Sequence, residues 1–321
     1  MNSTGWPRPG QPGRGCSDVF VFATSDKGGT GRSVTAANLA YRHALAGGDC
    51  CYLDFDFGSP TAGAIFQLPD VPVGAADGNG LHSHVVHGGP LPTAIDVWTA
   101  SERPELRRRP SGAGRLVLIP GDEGGGEFRS DERMVQRCAD MLLRANEQYD
   151  LVIIDLSAGR SFAVEIALEA TADRRLTGMD IRWLVFHRWT YQHIVAAHGL
   201  VYGKDGILGT GERLGHDPAN LRQAVRFVRT TAAAPDDLRL STAQLAWLEM
   251  CESRLKRLAE HKGLGSPMRI ADIPLDPVLQ WQEQLLTDDD VRLHRTANQR
   301  TVTAFENLAK RLRQRDDDDR L

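Results

Sequence analysis

Short apolar runs alternate along the chain with longer stretches in which apolar residues recur every three or four positions. Val19-Phe20-Val21-Phe22-Ala23 reads as a strand. Val34, Ala37, Tyr41, Ala44 and Leu45 then fall on one face of a helix that Gly47-Gly48 ends. Cys51-Tyr52-Leu53 and residues 115–119 predict two further strands, and Met134, Cys138, Met141, Leu142 and Ala145 return to helical spacing. Residues 150–154 form an apolar run suited to a central strand, with more strands expected at 182–187, 225–228 and 268–273. A helix begins near Ser241, where S-T-A-Q has the form of a capping box, and Val302, Phe305, Leu308 and Leu312 mark a final amphipathic helix. Residues 67–114, rich in Gly and Pro, show no dominant period. The alternation predicts an α/β fold with a doubly wound, mostly parallel sheet flanked by helices.

Composition narrows the picture. With 41% hydrophobic and 25% charged residues among 321, the chain has the material for an ordinary folded core. Residues 1–17 read as a Gly/Pro-rich disordered leader, 18–313 as one domain and 314–321 as an acidic disordered tail. The formal net charge of −4 argues against binding a polyanion through bulk charge, so any contact with DNA falls to a local patch. Arg107-Arg108-Arg109 and the group Arg254, Lys256 and Arg257 are the candidates, although a solvated charged face is the favoured reading of both. The five cysteines form no CxxC pair, which fits a reducing cytoplasm. No run reaches the roughly 18 apolar residues of a membrane span, and the aspartates of the tail disfavour docking on anionic lipid.

Chemistry concentrates first in Lys27-Gly28-Gly29-Thr30-Gly31-Arg32-Ser33, between the first strand and the first helix. Successive glycines let backbone N–H groups turn onto phosphate oxygens, the helix brings its positive end to the same charge, and a hydroxyl at Ser33 is placed for Mg²⁺. The simple pattern GxxxxGKS/T is met in part, with Asp26 at its first glycine and Arg32 at its lysine. The segment resembles the deviant Walker A motif, KGGxGKS/T, of the ParA/MinD family of P-loop ATPases. That resemblance implies a P-loop NTPase fold with ATP and Mg²⁺ as cofactors. It also implies a homodimer closed around ATP, with Lys27 reaching the partner's phosphates. Gly28, Gly29, Thr30, Gly31, Arg32 and Ser33 are then the phosphate-binding residues.

Carboxylates follow in the order the family has them. Asp54 and Asp56 stand two apart at the end of the second strand and share a face, which like charges tolerate when a cation or polarised water lies between them. By carry-over Asp56 orients the attacking water and Asp54 supports the metal. Leu151-Val152-Ile153-Ile154-Asp155 is similar to a Walker B strand, placing Asp155 behind Mg²⁺. Ala271–Asp276, containing Pro274, resembles the family's segment near the adenine, and Arg229-Thr230 stands where relatives contact the base.

The expected function is a cytoplasmic switch that dimerises on Mg-ATP, hydrolyses it slowly and controls a protein partner. Because Arg32 puts a wide planar head in place of a compact ammonium, a non-hydrolysing nucleotide-binding module is the alternative. A P-loop ligase or reductase rests on fold analogy alone. His82, His84 and His87 lack a nearby acidic or Cys partner and read as loop histidines.

Overall fold

The computed structural model describes residues 19–232 and 241–313. The leader and tail expected at 1–17 and 314–321 lie outside the described residues. The first half comprises β1 (Val19–Thr24), α1 (Arg32–Leu45), β2 (Cys50–Phe55), α2 (Ala62–Ile65), α3 (Leu81–His87), β3 (Ile95–Asp96), α4 (Val97–Ala100) and β4 (Leu116–Ile119). Next come α5 (Glu132–Asn146), β5 (Leu151–Leu156), α6 (Phe162–Thr171), β6 (Asp180–Arg188), α7 (Tyr191–Tyr202), α8 (Ile207–Arg213) and α9 (Pro218–Ala224). The chain continues with β7 (Val225–Ala232), α10 (Thr242–His261), β8 (Arg269–Pro274), α11 (Pro277–Trp281), α12 (Asp288–Arg292) and α13 (Gln299–Arg313).

The strands form one sheet in the order β3-β4-β2-β5-β1-β6-β7-β8. Every neighbouring pair is parallel except β3 with β4, which is antiparallel. This is the mostly parallel, doubly wound sheet that the alternation predicts. Strands β1, β2 and β5 are buried at every position, as strands covered on both faces must be. Alternate side chains enter two different cores. Phe20, Phe22, Leu53, Ile154 and Trp183 pack with α5, α6 and α7 through Met141, Ile166 and Leu200. Val21, Ala23, Tyr52 and Ile153 pack with α1 and α13 through Leu39, Phe305 and Leu308. Trp183 stacks on Phe22 at 4.7 Å between centroids, fastening β6 to β1.

Helix α10 opens as its sequence indicates: Ser241 Oγ accepts from the Gln244 N–H, and Gln244 Oε1 accepts from the Ser241 N–H. Residues 67–114, without a clear period in sequence, fold into short elements tied down by single buried side chains. Trp98 is buried and donates Nε1–H to the Gly114 carbonyl at 3.0 Å. Arg103 reaches Asp290, with contacts of 2.6 and 2.5 Å, and the Leu285 carbonyl at 2.5 Å.

The topology sets the position of the site. The chain leaves β1 toward β2 on one side and later crosses to β6 on the other, so β1 lies where the winding direction changes. Ligands of open α/β sheets bind at the carboxyl ends of strands flanking such a point. Asp155 is paired in register with Ala23 of β1 and Asp54 of β2, which brings all three strand ends to one edge.

Candidate functional site: a glycine loop and two carboxylates

The turn between β1 and α1 is a shallow cup. Gly29 and Gly31 have φ of 68° and 71°, a conformation that costs an L side chain roughly 1–2 kcal/mol. A Cβ placed on Gly28, Gly29 or Gly31 would meet nothing within 4 Å, so the space beside these three glycines is open. Gly31 is also the N-cap of α1 and supplies no capping side chain, leaving the first N–H groups of a 14-residue helix directed at the cup. Lys27 is exposed at its rim, and Thr30 is buried beneath it. Thr230 at the end of β7 donates its hydroxyl to the Thr30 carbonyl at 2.5 Å, anchoring the loop from the far side.

Arg32, the first residue of α1, is 7% exposed and turns toward the strand ends. Its Nε donates to Asp155 Oδ1 at 2.6 Å, and its Nη2 to Asp56 Oδ2 and to Ser33 Oγ, each at 3.2 Å. Burial opposes its charge, but Asp155 and then Asp56 outweigh that effect and raise the guanidinium pKa above its ordinary value. Arg32 therefore joins the helix to Asp56, the candidate for positioning water, and to Asp155, the candidate Walker B carboxylate. The sequence shows its charge; the direction of the side chain comes only from the fold.

Asp155 is also held from its other side. Tyr52 donates its hydroxyl to Asp155 Oδ2 at 2.8 Å from the neighbouring strand. Tyr52 was not among the expected site residues, although its position two before Asp54 puts it on the face of β2 that carries that aspartate. Asp56 retains 24% exposure of its side chain and faces the loop through Arg32.

Asp54, expected in the metal environment, has a different task. Its Oδ2 accepts from the Ala62 N–H at 3.0 Å and its Oδ1 from the Asp56 N–H at 3.3 Å, closing the turn after β2. Burial and then the nearby Asp155 push its pKa up to about 8. Of the three residues expected around Mg²⁺, Asp54 is directed at backbone, both Asp155 oxygens accept hydrogen bonds, and Ser33 Oγ accepts from Arg32 at 3.2 Å. Among the described residues, no group of three or more His, Cys, Asp or Glu is arranged to hold a metal, the loop histidines included.

Beyond the loop, a cleft of about 250 Å³ runs from Gly29 and Gly31 past Thr35, Thr230 and Thr231 to Pro274 and Trp281. Pro274, expected near the base, lines this cleft. Trp281, at 90% exposure, offers a bare aromatic face at the mouth of the cleft and was not singled out in sequence. Asp276 accepts from the Asn298 and Val278 N–H groups and so shapes this wall. Arg229, also expected at the base, does not line the cleft. Its guanidinium pairs with Asp272 at 2.9 Å and Glu252 at 3.3 Å and lies over the Trp189 ring, because alternation along β7 sends it away from Thr230.

No protein-family model matches the chain, and neither does any curated protein sequence. Solved structures do. The MinC:MinD cell division complex of Aquifex aeolicus aligns with a TM-score of 0.57 at 16% identity, covering 92% of this chain and 96% of that one. The ATP complex of a McdA variant from Cyanothece gives 0.57 at 15% identity, with 92% and 96% covered. A ParA family ATPase from Chlorobium tepidum gives 0.52 at 15% identity, with 92% and 99% covered. The fold of this chain is the fold of the MinD and ParA P-loop ATPases.

Proposed function

We propose that the chain is an ATP-binding switch of the ParA/MinD type, which takes ATP on the Lys27–Ser33 loop and closes as a homodimer to engage a protein partner. The observation that carries this reading is the open glycine cup at the head of α1, with Asp56 and Asp155 converging on the same edge of the sheet. Phosphates are held by the N–H groups of Gly28, Gly29, Thr30 and Gly31 and the amino end of α1. Lys27, exposed at the rim, is free to serve the facing subunit. Asp56 positions water, and the base lies between Thr231, Pro274 and Trp281. The neighbour solved as an ATP complex supports the choice of nucleotide, and the MinC:MinD complex supports control of a protein partner.

Binding to DNA without sequence preference is not favoured by an acidic chain. A cytoplasmic location is part of the same reading; among the described residues, no helix is long and apolar enough to cross a membrane.

A second reading is favoured by one observation: Arg32 already occupies both carboxylates, which supports a nucleotide-binding module with little or no turnover. Molecular mass measured by light scattering against nucleotide tests the main proposal. An Asp56→Ala protein, blocked in turnover, should double its mass with ATP; a monomer at saturating ATP would refute the sandwich. Steady phosphate release that disappears in Asp56→Ala would exclude the non-hydrolysing module.

A further inference from the structure

Three oxygen-bearing side chains, from α1, β5 and the turn after β2, converge on one cation, and the chain itself supplies it. The guanidinium of Arg32 donates to Asp155 at 2.6 Å and to Asp56 and Ser33 at 3.2 Å each. The remaining oxygen of Asp155 takes the hydroxyl of Tyr52. A Mg²⁺ ion at a phosphate site needs oxygen ligands at about 2.0–2.1 Å in near-octahedral array. Here Asp155 Oδ1, Asp56 Oδ2 and Ser33 Oγ face the nitrogens of Arg32 instead. Unlike a lysine or histidine, an arginine keeps its proton in proteins, so the charge is permanent. Its burial protects the contact from screening by salt.

The guanidinium carries five N–H donors, and its contacts among the described residues leave some of them for a phosphate oxygen. With Lys27 and the amino end of α1, the anion then has a positive environment made from the chain alone.

We propose that the Arg32 guanidinium stands in for the divalent cation, so that this loop binds a nucleoside triphosphate as the metal-free anion. The proposal deepens the nucleotide-binding reading and rests on it for the identity of the ligand. The claim about the cation itself does not depend on that reading.

Two measurements separate them. ATP binding by titration calorimetry, with MgCl₂ or with excess EDTA, should differ by no more than about twofold in the wild-type protein, whereas Arg32→Lys should bind about tenfold or more weakly in EDTA. Wild-type binding that collapses in EDTA overturns the proposal. Independently, Mn²⁺ added without nucleotide and followed by electron paramagnetic resonance should find no tight site in the wild type. In Arg32→Met, where the carboxylates lose their partner, affinity should rise by about tenfold or more. Wild-type Mn²⁺ binding as tight as that of the variant overturns the proposal, whether or not ATP binds. If ATP fails to bind under both conditions, the nucleotide reading falls and the Mn²⁺ comparison still decides the role of Arg32. Should Arg32→Met not fold, a wild-type Mn²⁺ site tight enough to saturate at micromolar metal would still refute the proposal, and its absence would uphold it.

Discussion

The hydroxyl of Tyr52 lies 2.8 Å from the carboxylate of Asp155, on the side opposite Arg32, so a buried charge on β5 is held between a phenol and a guanidinium. Hydrogen bonds to charged groups contribute about 1.5–3 kcal/mol. Tyr52→Phe keeps the ring packed against Phe66 and removes the hydroxyl, which besides Asp155 reaches the Ser33 carbonyl at 3.4 Å. Urea unfolding of the variant should show a loss of about 1–3 kcal/mol with an unchanged denaturant slope. Stability equal to wild type would mean that Asp155 does not depend on Tyr52.

Trp281 is nearly fully exposed at the mouth of the cleft, an arrangement with little structural value in the free chain. Stacking of a base on an aromatic ring is worth about 1–3 kcal/mol. Trp281→Ala should weaken ATP binding roughly tenfold and leave binding of inorganic triphosphate, which has no base, unchanged. Equal losses for both ligands would show that Trp281 acts on the phosphates or on the fold.

Acid should destabilise the fold through His43. Burial, with Arg313 nearby, lowers its pKa from 6.5 to about 4, against the weaker pull of Asp150 and Asp49. The folded state keeps this ring neutral while the unfolded state protonates below pH 6.5. The contribution is therefore complete above pH 6.5 and is lost as pH falls toward 4, to the extent of about 3 kcal/mol. His187, likewise buried and shifted to about 4, acts in the same direction. Unfolding free energies of His43→Gln measured from pH 7 to 4 should show a shallower slope than wild type. Parallel curves would place the acid sensitivity elsewhere.

Arg103 and Asp290 form a buried pair that ties the segment before β4 to α12, with both side chains under 10% exposed. Removing one member of such a pair typically costs about 3–5 kcal/mol, because the other stays charged and buried. Arg103→Met should lose stability on that scale, and Arg103→Met with Asp290→Asn, which removes the charge and keeps an oxygen for the Thr287 N–H that caps α12, should recover part of it. Failure of the double variant to recover any stability would assign the loss to packing rather than to charge.

Much of the frame was legible because central parallel strands announce themselves as unbroken apolar runs. Leu151–Leu156 is one, and the loop glycines are recognisable because only glycine takes the φ of 68° and 71° found at Gly29 and Gly31 without strain. The segment 67–114 was not legible. Its helices span seven and four residues, too short to show a period, and its anchor Arg103 finds its partner 187 positions away. Arg32 shows the same limit within the site. Sequence gives it a charge beside the phosphate loop, while its engagement with Asp155 follows from strands brought together across 123 positions. Arg229 and Thr230 make the converse case, since adjacent residues on a strand face opposite ways and only Thr230 reaches the loop.

The two-residue strand β3, antiparallel to β4 through Ile95 and Asp96, terminates one side of the sheet. A margin so short presents few unpaired amides to another polypeptide, which blunts lateral growth into fibrils at high concentration.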